Sequence, residues 1–185
     1  YGDRQWKLAP HDALDKLMDF FAARLRNYFM SQGQDTLLVD AALGAGAEDV
    51  KDCGARLAAL AAFSQATDYE AAVQTFKRVA NILRKQGQAE ELSDHWDPAL
   101  LREDAEKALA TTLEEMLPRL DALWATHDHA AALACLSDVR PAVDAFFAGV
   151  MVMCDEADLR YNRLSMLHGL GSRFARIADF SALQM

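Results

Sequence analysis

Apolar residues return at three- and four-residue steps along most of the chain, the spacing of one buried helix face. Leu14, Leu17, Met18, Phe21, Leu25, Tyr28 and Phe29 predict a helix over about residues 12–31, with Gly33 placed for a C-terminal cap. Asp35 can cap a short second helix through Leu37, Leu38 and Ala41, stopped by Gly44-Ala45-Gly46. A third helix over about 48–65 turns Val50, Cys53, Leu57, Leu60 and Phe63 inward, and a fourth runs from near Asp68 to about Gln86. His95-Trp96-Asp97-Pro98 reads as a loop in which Asp97-Pro98 starts a helix. Residues 103–124 predict a long helix that Pro118 should kink or split. Asp128 opens another, interrupted near Pro141 and resumed through Val143, Phe146, Phe147, Val150 and Met153. The last covers about 156–177, weakened by Gly169 and Gly171. No strand alternation or internal repeat stands out. The expected fold is all-α: a single bundle of about seven or eight helices over residues 10–185, with 1–9 as a tail or linker.

Composition agrees. Apolar residues make up 52% and charged residues 25% of the 185, and there are only four prolines, so a sizeable core is available and strands lack punctuation. Cys53, Cys135 and Cys154 are an odd set without paired spacing and read as free thiols in apolar helices. No run approaches the ~20 apolar residues of a membrane span, no signal peptide opens the chain, and a cytoplasmic location is expected. A start at Tyr1 reads as a processed chain or a fragment from the end of a larger protein.

The net charge of −9 argues against nucleic acid. The charge is segregated, however. Residues 71–89 carry Lys77, Arg78, Arg84 and Lys85 without an acid, and residues 159–178 carry Arg160, Arg163, Arg173 and Arg176 without one. Such windows can make a positive surface on an acidic protein. In the fourth helix, Phe76, Val79, Ala80 and Leu83 project to the core, while Lys77, Arg78, Asn81, Arg84 and Lys85 share the opposite arc. Cations suit phosphates and Asn81 suits a base edge; a solvated face at a helix C-terminus explains the same residues equally well. In the last helix, Arg160 and Arg163 project onto the apolar stripe and need a partner, for which Asp144 is a candidate, while Asn162 and Ser172 project away from it.

Catalytic chemistry finds little support. His127 and His129, two apart, would point to different faces of a helix, and Asp155, Glu156 and Asp158 read as an acidic first turn, so no metal site is expected. His11-Asp12 stands alone and reads as helix capping by Asp12. Phosphate-loop, dinucleotide and G-x-S-x-G motifs are missing, and no catalytic residue is expected. Val150-Met151-Val152-Met153 reads as helix core, with an adaptable docking surface as the alternative.

Three stretches carry a resemblance: residues 77–83, the run from Arg140 through Pro141, Asp144 and Phe147 to Met153, and residues 159–164 with the ending at 174–181. In order and spacing they resemble the C-terminal, DALR-like anticodon-binding domain of the bacterial glycyl-tRNA synthetase β subunit. The resemblance implies a helical domain that binds the anticodon region of glycine tRNA and supports tRNA selection. Within such a domain the expected tRNA contacts are Lys77, Arg78, Asn81, Arg84, Lys85, Arg160, Asn162 and Arg163, with Arg160 and Arg163 equally suited to holding the fold. The resemblance also implies a parent ligase in which an α subunit forms glycyl-adenylate with ATP and magnesium, so the expected partners are glycine tRNA, the α subunit and the rest of the β subunit. No cofactor is expected in this stretch itself. The competing class is a helical docking module that never touches RNA. A basic patch beside a groove would favour RNA, and a large exposed apolar face would favour docking.

Overall fold

The computed structural model describes residues 10–86 and 92–183; the expected tail at 1–9 lies outside the described residues. Among the described residues seven α-helices follow one another: α1 Pro10–Ser31, α2 Thr36–Gly44, α3 Val50–Phe63, α4 Tyr69–Gln86, α5 Asp104–Ala125, α6 His129–Gly149 and α7 Ala157–Ala175. Two 3-10 turns, Pro98–Leu100 and Phe180–Ala182, complete the order, and no strand occurs among the described residues. The all-α reading stands.

Side-chain caps set several starts. Asp35 accepts from the N–H groups of Leu37 and Leu38, Asp49 from Asp52, and Asp128 from Ala131. α1 begins at Pro10, so Asp12 lies inside its first turn instead of capping it. Asp97-Pro98 starts only a single 3-10 turn. The chain then leaves helical geometry at Leu101 and restarts at Asp104, because the Glu106 carboxylate takes the backbone N–H groups of both Arg102 and Glu103. Neither internal proline splits its helix. Pro118 and Pro141 lie exposed on α5 and α6, where the carbonyl each leaves unpaired can turn to water.

α7 occupies the middle of the bundle, against α4, α5 and the 98–100 turn, while α6 packs against α3, α4 and α5. Every residue from Asn162 to Leu167 is buried. A helix covered on nearly all sides has no polar arc, which overturns the expectation that Asn162 projects outward. Its side chain instead grips the loop before Pro98: Oδ1 accepts from the Asp97 N–H at 2.6 Å and Nδ2 donates to the Asp97 carbonyl at 3.1 Å. Asn162→Ala is therefore expected to cost about 1–3 kcal/mol in urea denaturation, the penalty for stranding these polar groups.

The buried cation of α7 pairs with an acid other than Asp144. Arg163 Nε donates to Glu106, which is fully buried, and its Nη1 donates to the Met151 carbonyl at 2.9 Å. Asp144 accepts from Thr75 at 2.7 Å and from Arg140 at 3.2 Å. The Met-containing run is not helix core either. α6 ends at Gly149; Val150 is extended and a turn follows at Val152-Met153, with Val150 and Val152 buried and Met151 and Met153 exposed.

Arg56 of α3 fastens three segments. It is 4% exposed and donates to the carbonyls of Ala42 at 2.5 Å, Gly46 at 2.6 Å and Ile177 at 3.1 Å, and to Asp52 Oδ2 at 2.8 Å. Burial pushes the Asp52 carboxyl up, but hydrogen bonds with His127, Arg56 and His129 outweigh it and bring it down to about 2. Cys53 and Cys135 are buried and Cys154 is half-buried, all three as free thiols; Cys154 lies past the end of α6 and not in a helix. Burial pushes the Cys53 and Cys135 thiols up.

α1 departs from its expected role. Leu14, Leu17, Phe20, Phe21 and Tyr28 are each about half exposed, since α1 packs chiefly on α2. A two-point ion pair from Arg26 to Asp40, at 2.5 and 2.9 Å, helps hold it there. No helix among the described residues is long and apolar enough to cross a membrane.

Candidate nucleic-acid interface

α4 is strongly amphipathic. Ala72, Val73, Thr75, Phe76 and Val79 are buried, and Phe76 packs tilted against Phe174 with centroids 4.0 Å apart and edge-to-face with Phe180 at 5.1 Å. Gly171 lets α7 come this close: a Cβ there would fall 2.5 Å from a Leu83 methyl. The outward face carries the residues that helical projection places there. Arg78, Arg84 and Lys85 are exposed, and Lys77 and Asn81 half-exposed.

These groups are organised. Arg78 lays its guanidinium over the Phe147 ring of α6 at 4.0 Å, a cation–π contact that leaves its N–H edge to solvent. Arg84 donates to Asn81 Oδ1 at 2.8 Å, which fixes the amide and leaves its Nδ2 donors free among the described residues. Lys77 Nζ donates to the Leu183 carbonyl at 2.6 Å. Gln74, Lys77, Arg78, Asn81, Ile82 and Lys85 line a shallow groove. Among the described residues none of the four cations is paired with a carboxylate. Four unneutralised charges beside a groove form an anion-attracting surface.

The second basic window dissolves. Arg173 pairs with Asp94 at 3.0 Å and Asp121 at 2.8 Å, and Arg176 lies 3.6 Å from Asp121 and over the Trp124 ring at 4.9 Å. Arg160 donates to the carbonyls of Cys154 and Asp155 at 2.8 and 3.4 Å, closing the turn into α7. Asn162 and Arg163 are buried, with their polar groups engaged inside the fold. Of the eight residues expected to touch RNA, the structure thus gathers five on α4 and gives three, on α7, positions that hold the fold. The part of Phe147, which carries the Arg78 guanidinium, was not foreseen. The run that carries the resemblance contains it, but only packing reveals which side of α6 meets α4.

Residues 73–179 match the DALR anticodon binding domain. The chain belongs to that family. Along its whole length it is also 57% identical to the glycine–tRNA ligase beta subunit of Nitratidesulfovibrio vulgaris strain Hildenborough, over 187 residues. It is 38% identical over 182 residues, 97% of the chain, to that subunit in Lawsonia intracellularis, and 38% identical over 184 residues, the full chain, to the Vibrio parahaemolyticus one. The chain covers 26–27% of the length of these relatives. The DALR match begins inside α4 and ends beyond α7, so it contains the whole cationic face and leaves α1, α2 and α3 outside.

Proposed function

We propose that this DALR domain binds the anticodon region of glycine tRNA through the outer face of α4, as the C-terminal, cytoplasmic part of a glycine–tRNA ligase β subunit comprising residues 10–185. The observation that carries the reading is the row of carboxylate-free cations, Lys77, Arg78, Arg84 and Lys85, lying within the family match. In this reading these cations hold backbone phosphates and set register, and Asn81 donates through Nδ2 to the ring acceptors of an unstacked cytosine. Glycine tRNAs carry cytosine at the second and third anticodon positions, which suits such a donor. Adenylate formation with ATP and magnesium belongs to the rest of the enzyme, including its α subunit. The half-exposed apolar face of α1 supports a complementary docking role toward the remainder of the β subunit.

The test is a binding titration of glycine tRNA and an anticodon-substituted tRNA across salt concentrations. Lys85→Ala should weaken both tRNAs alike and flatten the salt dependence by about one phosphate contact. Asn81→Ala should cost roughly 1–3 kcal/mol and mainly for the native anticodon. Absence of binding at low salt, or indifference to both substitutions, would leave α4 a solvated face and give the docking role precedence.

A further inference from the structure

The connection between α5 and α6 brings together side chains that helical spacing alone would separate. α5 ends in a Schellman turn: the His127 N–H reaches the Trp124 carbonyl at 3.1 Å and the Asp128 N–H reaches the Leu123 carbonyl at 3.0 Å. His127 occupies the left-handed position of that turn, φ +54°, where glycine is the usual residue. Asp128 then caps α6, and His129 is its first residue. Helix, turn and helix therefore meet within a few residues, and both imidazoles swing toward the start of α3. This corrects the expectation of divergent faces: His127 sits in the turn, not on a helix.

Both rings meet one carboxylate oxygen. His127 Nδ1 lies 2.8 Å and His129 Nε2 2.9 Å from Asp52 Oδ1, and all three atoms fall within 4.8 Å of one another. The other oxygen, Oδ2, is held by Arg56 Nε at 2.8 Å, which fixes the carboxylate plane and leaves Oδ1 facing the imidazoles. The His129 side chain is 3% exposed and that of His127 is 68% exposed, so the cluster is anchored on one side and open to solvent on the other.

We propose that Asp52, His127 and His129 form a binding site for a divalent transition-metal cation of the zinc class. Two imidazole nitrogens and one carboxylate oxygen are a borderline-soft donor set suited to zinc, with a solvent-facing position left for water. Bond lengths of about 2.0–2.2 Å around a tetrahedral ion need ligand separations near 3.3 Å, so each N···O distance opens by roughly 0.5 Å. Ligation moves the His129 proton from Nε2 to Nδ1. That atom is buried and has no partner in either form, so the exchange strands no additional group. The turn supplies a further reason. A β-carbon in the left-handed region is a cost that glycine would avoid, and only the imidazole gives a return for it. The bound ion ties α3 to the α5–α6 turn.

The experiment uses the full chain, stripped with chelator and titrated with zinc chloride by calorimetry. A parallel cobalt(II) titration reads the visible d–d absorption of a low-coordinate nitrogen–oxygen site. The expected result is one ion per chain, a zinc-dependent rise in Tm, and loss of both signals in excess chelator. His127→Gly keeps the left-handed turn and the fold, so its metal-free Tm should equal or exceed that of the parent. Its zinc affinity should fall at least about tenfold, or 1.4 kcal/mol. Zinc affinity and cobalt spectrum unchanged in His127→Gly would place the ion elsewhere and overturn the proposal. So would the absence of binding in the parent, leaving the cluster a hydrogen-bonded clamp.

Discussion

Arg163→Ala is expected to lower the free energy of unfolding by about 3–5 kcal/mol, because it leaves a carboxylate buried without its counter-charge. Glu106 has no solvent exposure, and the guanidinium that serves it is 4% exposed. The same carboxylate takes two backbone N–H groups at the head of α5, so the loss extends to that helix start. Urea denaturation read by circular dichroism measures it. The double variant Glu106→Gln, Arg163→Met should lose less than the single one, since it removes the orphaned charge and keeps an amide that can cap the helix. The pH dependence carries a second signature. Burial pushes the Glu106 carboxyl up, but the Arg102 and Glu103 N–H groups and Arg163 outweigh it, so it sits below its ordinary 4.5. A carboxyl lowered by folding contributes stability that is complete above that ordinary value and is lost as pH falls through the folded one. In Arg163→Ala the folded value rises, and the acid limb of the stability curve below about pH 4.5 should become shallower.

Arg56→Ala should cost a comparable amount, about 3–5 kcal/mol, chiefly because the carbonyls of Ala42, Gly46 and Ile177 lose their donor, while Asp52 keeps its two imidazole contacts. The carbonyls belong to the last turn of α2, the turn after it, and the segment following α7. Arg56→Lys keeps the charge but replaces a planar fork with one ammonium that cannot reach all four acceptors, and should recover less than half of the loss. Thermal melts of the two variants, side by side, check this. A lysine variant as stable as the parent would mean that charge alone, without the fork, holds these segments.

What the sequence revealed and concealed follows from the range of each interaction. The outer face of α4 was legible because Lys77, Arg78, Asn81, Arg84 and Lys85 are related by helical angle alone. Pairings across the bundle were not. Arg173 finds Asp121 and Asp94 at separations of 52 and 79 residues, and Arg163 finds Glu106 at 57, so counting charges within a window overstated the basicity of α7. Arg56 could have been found: it shares the inward arc of Cys53, Leu57 and Leu60, and a cation there demands partners just as Arg163 does. The Met run was misassigned because the helical stripe through Phe146 and Val150 gives no sign that α6 stops at Gly149 and a turn follows. The convergence of His127 and His129 depended on a two-residue turn between helices, and no helical projection describes it. The apolar stripe of α1 was legible as a stripe, but among the described residues α1 packs chiefly on α2 and leaves much of the stripe half exposed.

α7 also sets where this chain can change over evolutionary time. At its buried positions, and at Gly171 against Leu83, a side chain cannot change without a matching change in a neighbouring segment. Asn162, Arg163 and Gly171 illustrate this, each fitted to a different neighbour. Divergence is thereby channelled outward. Packing constrains the exposed arc of α4 and the open side of α1 far less, so the fold by itself does not fix which residues stand there.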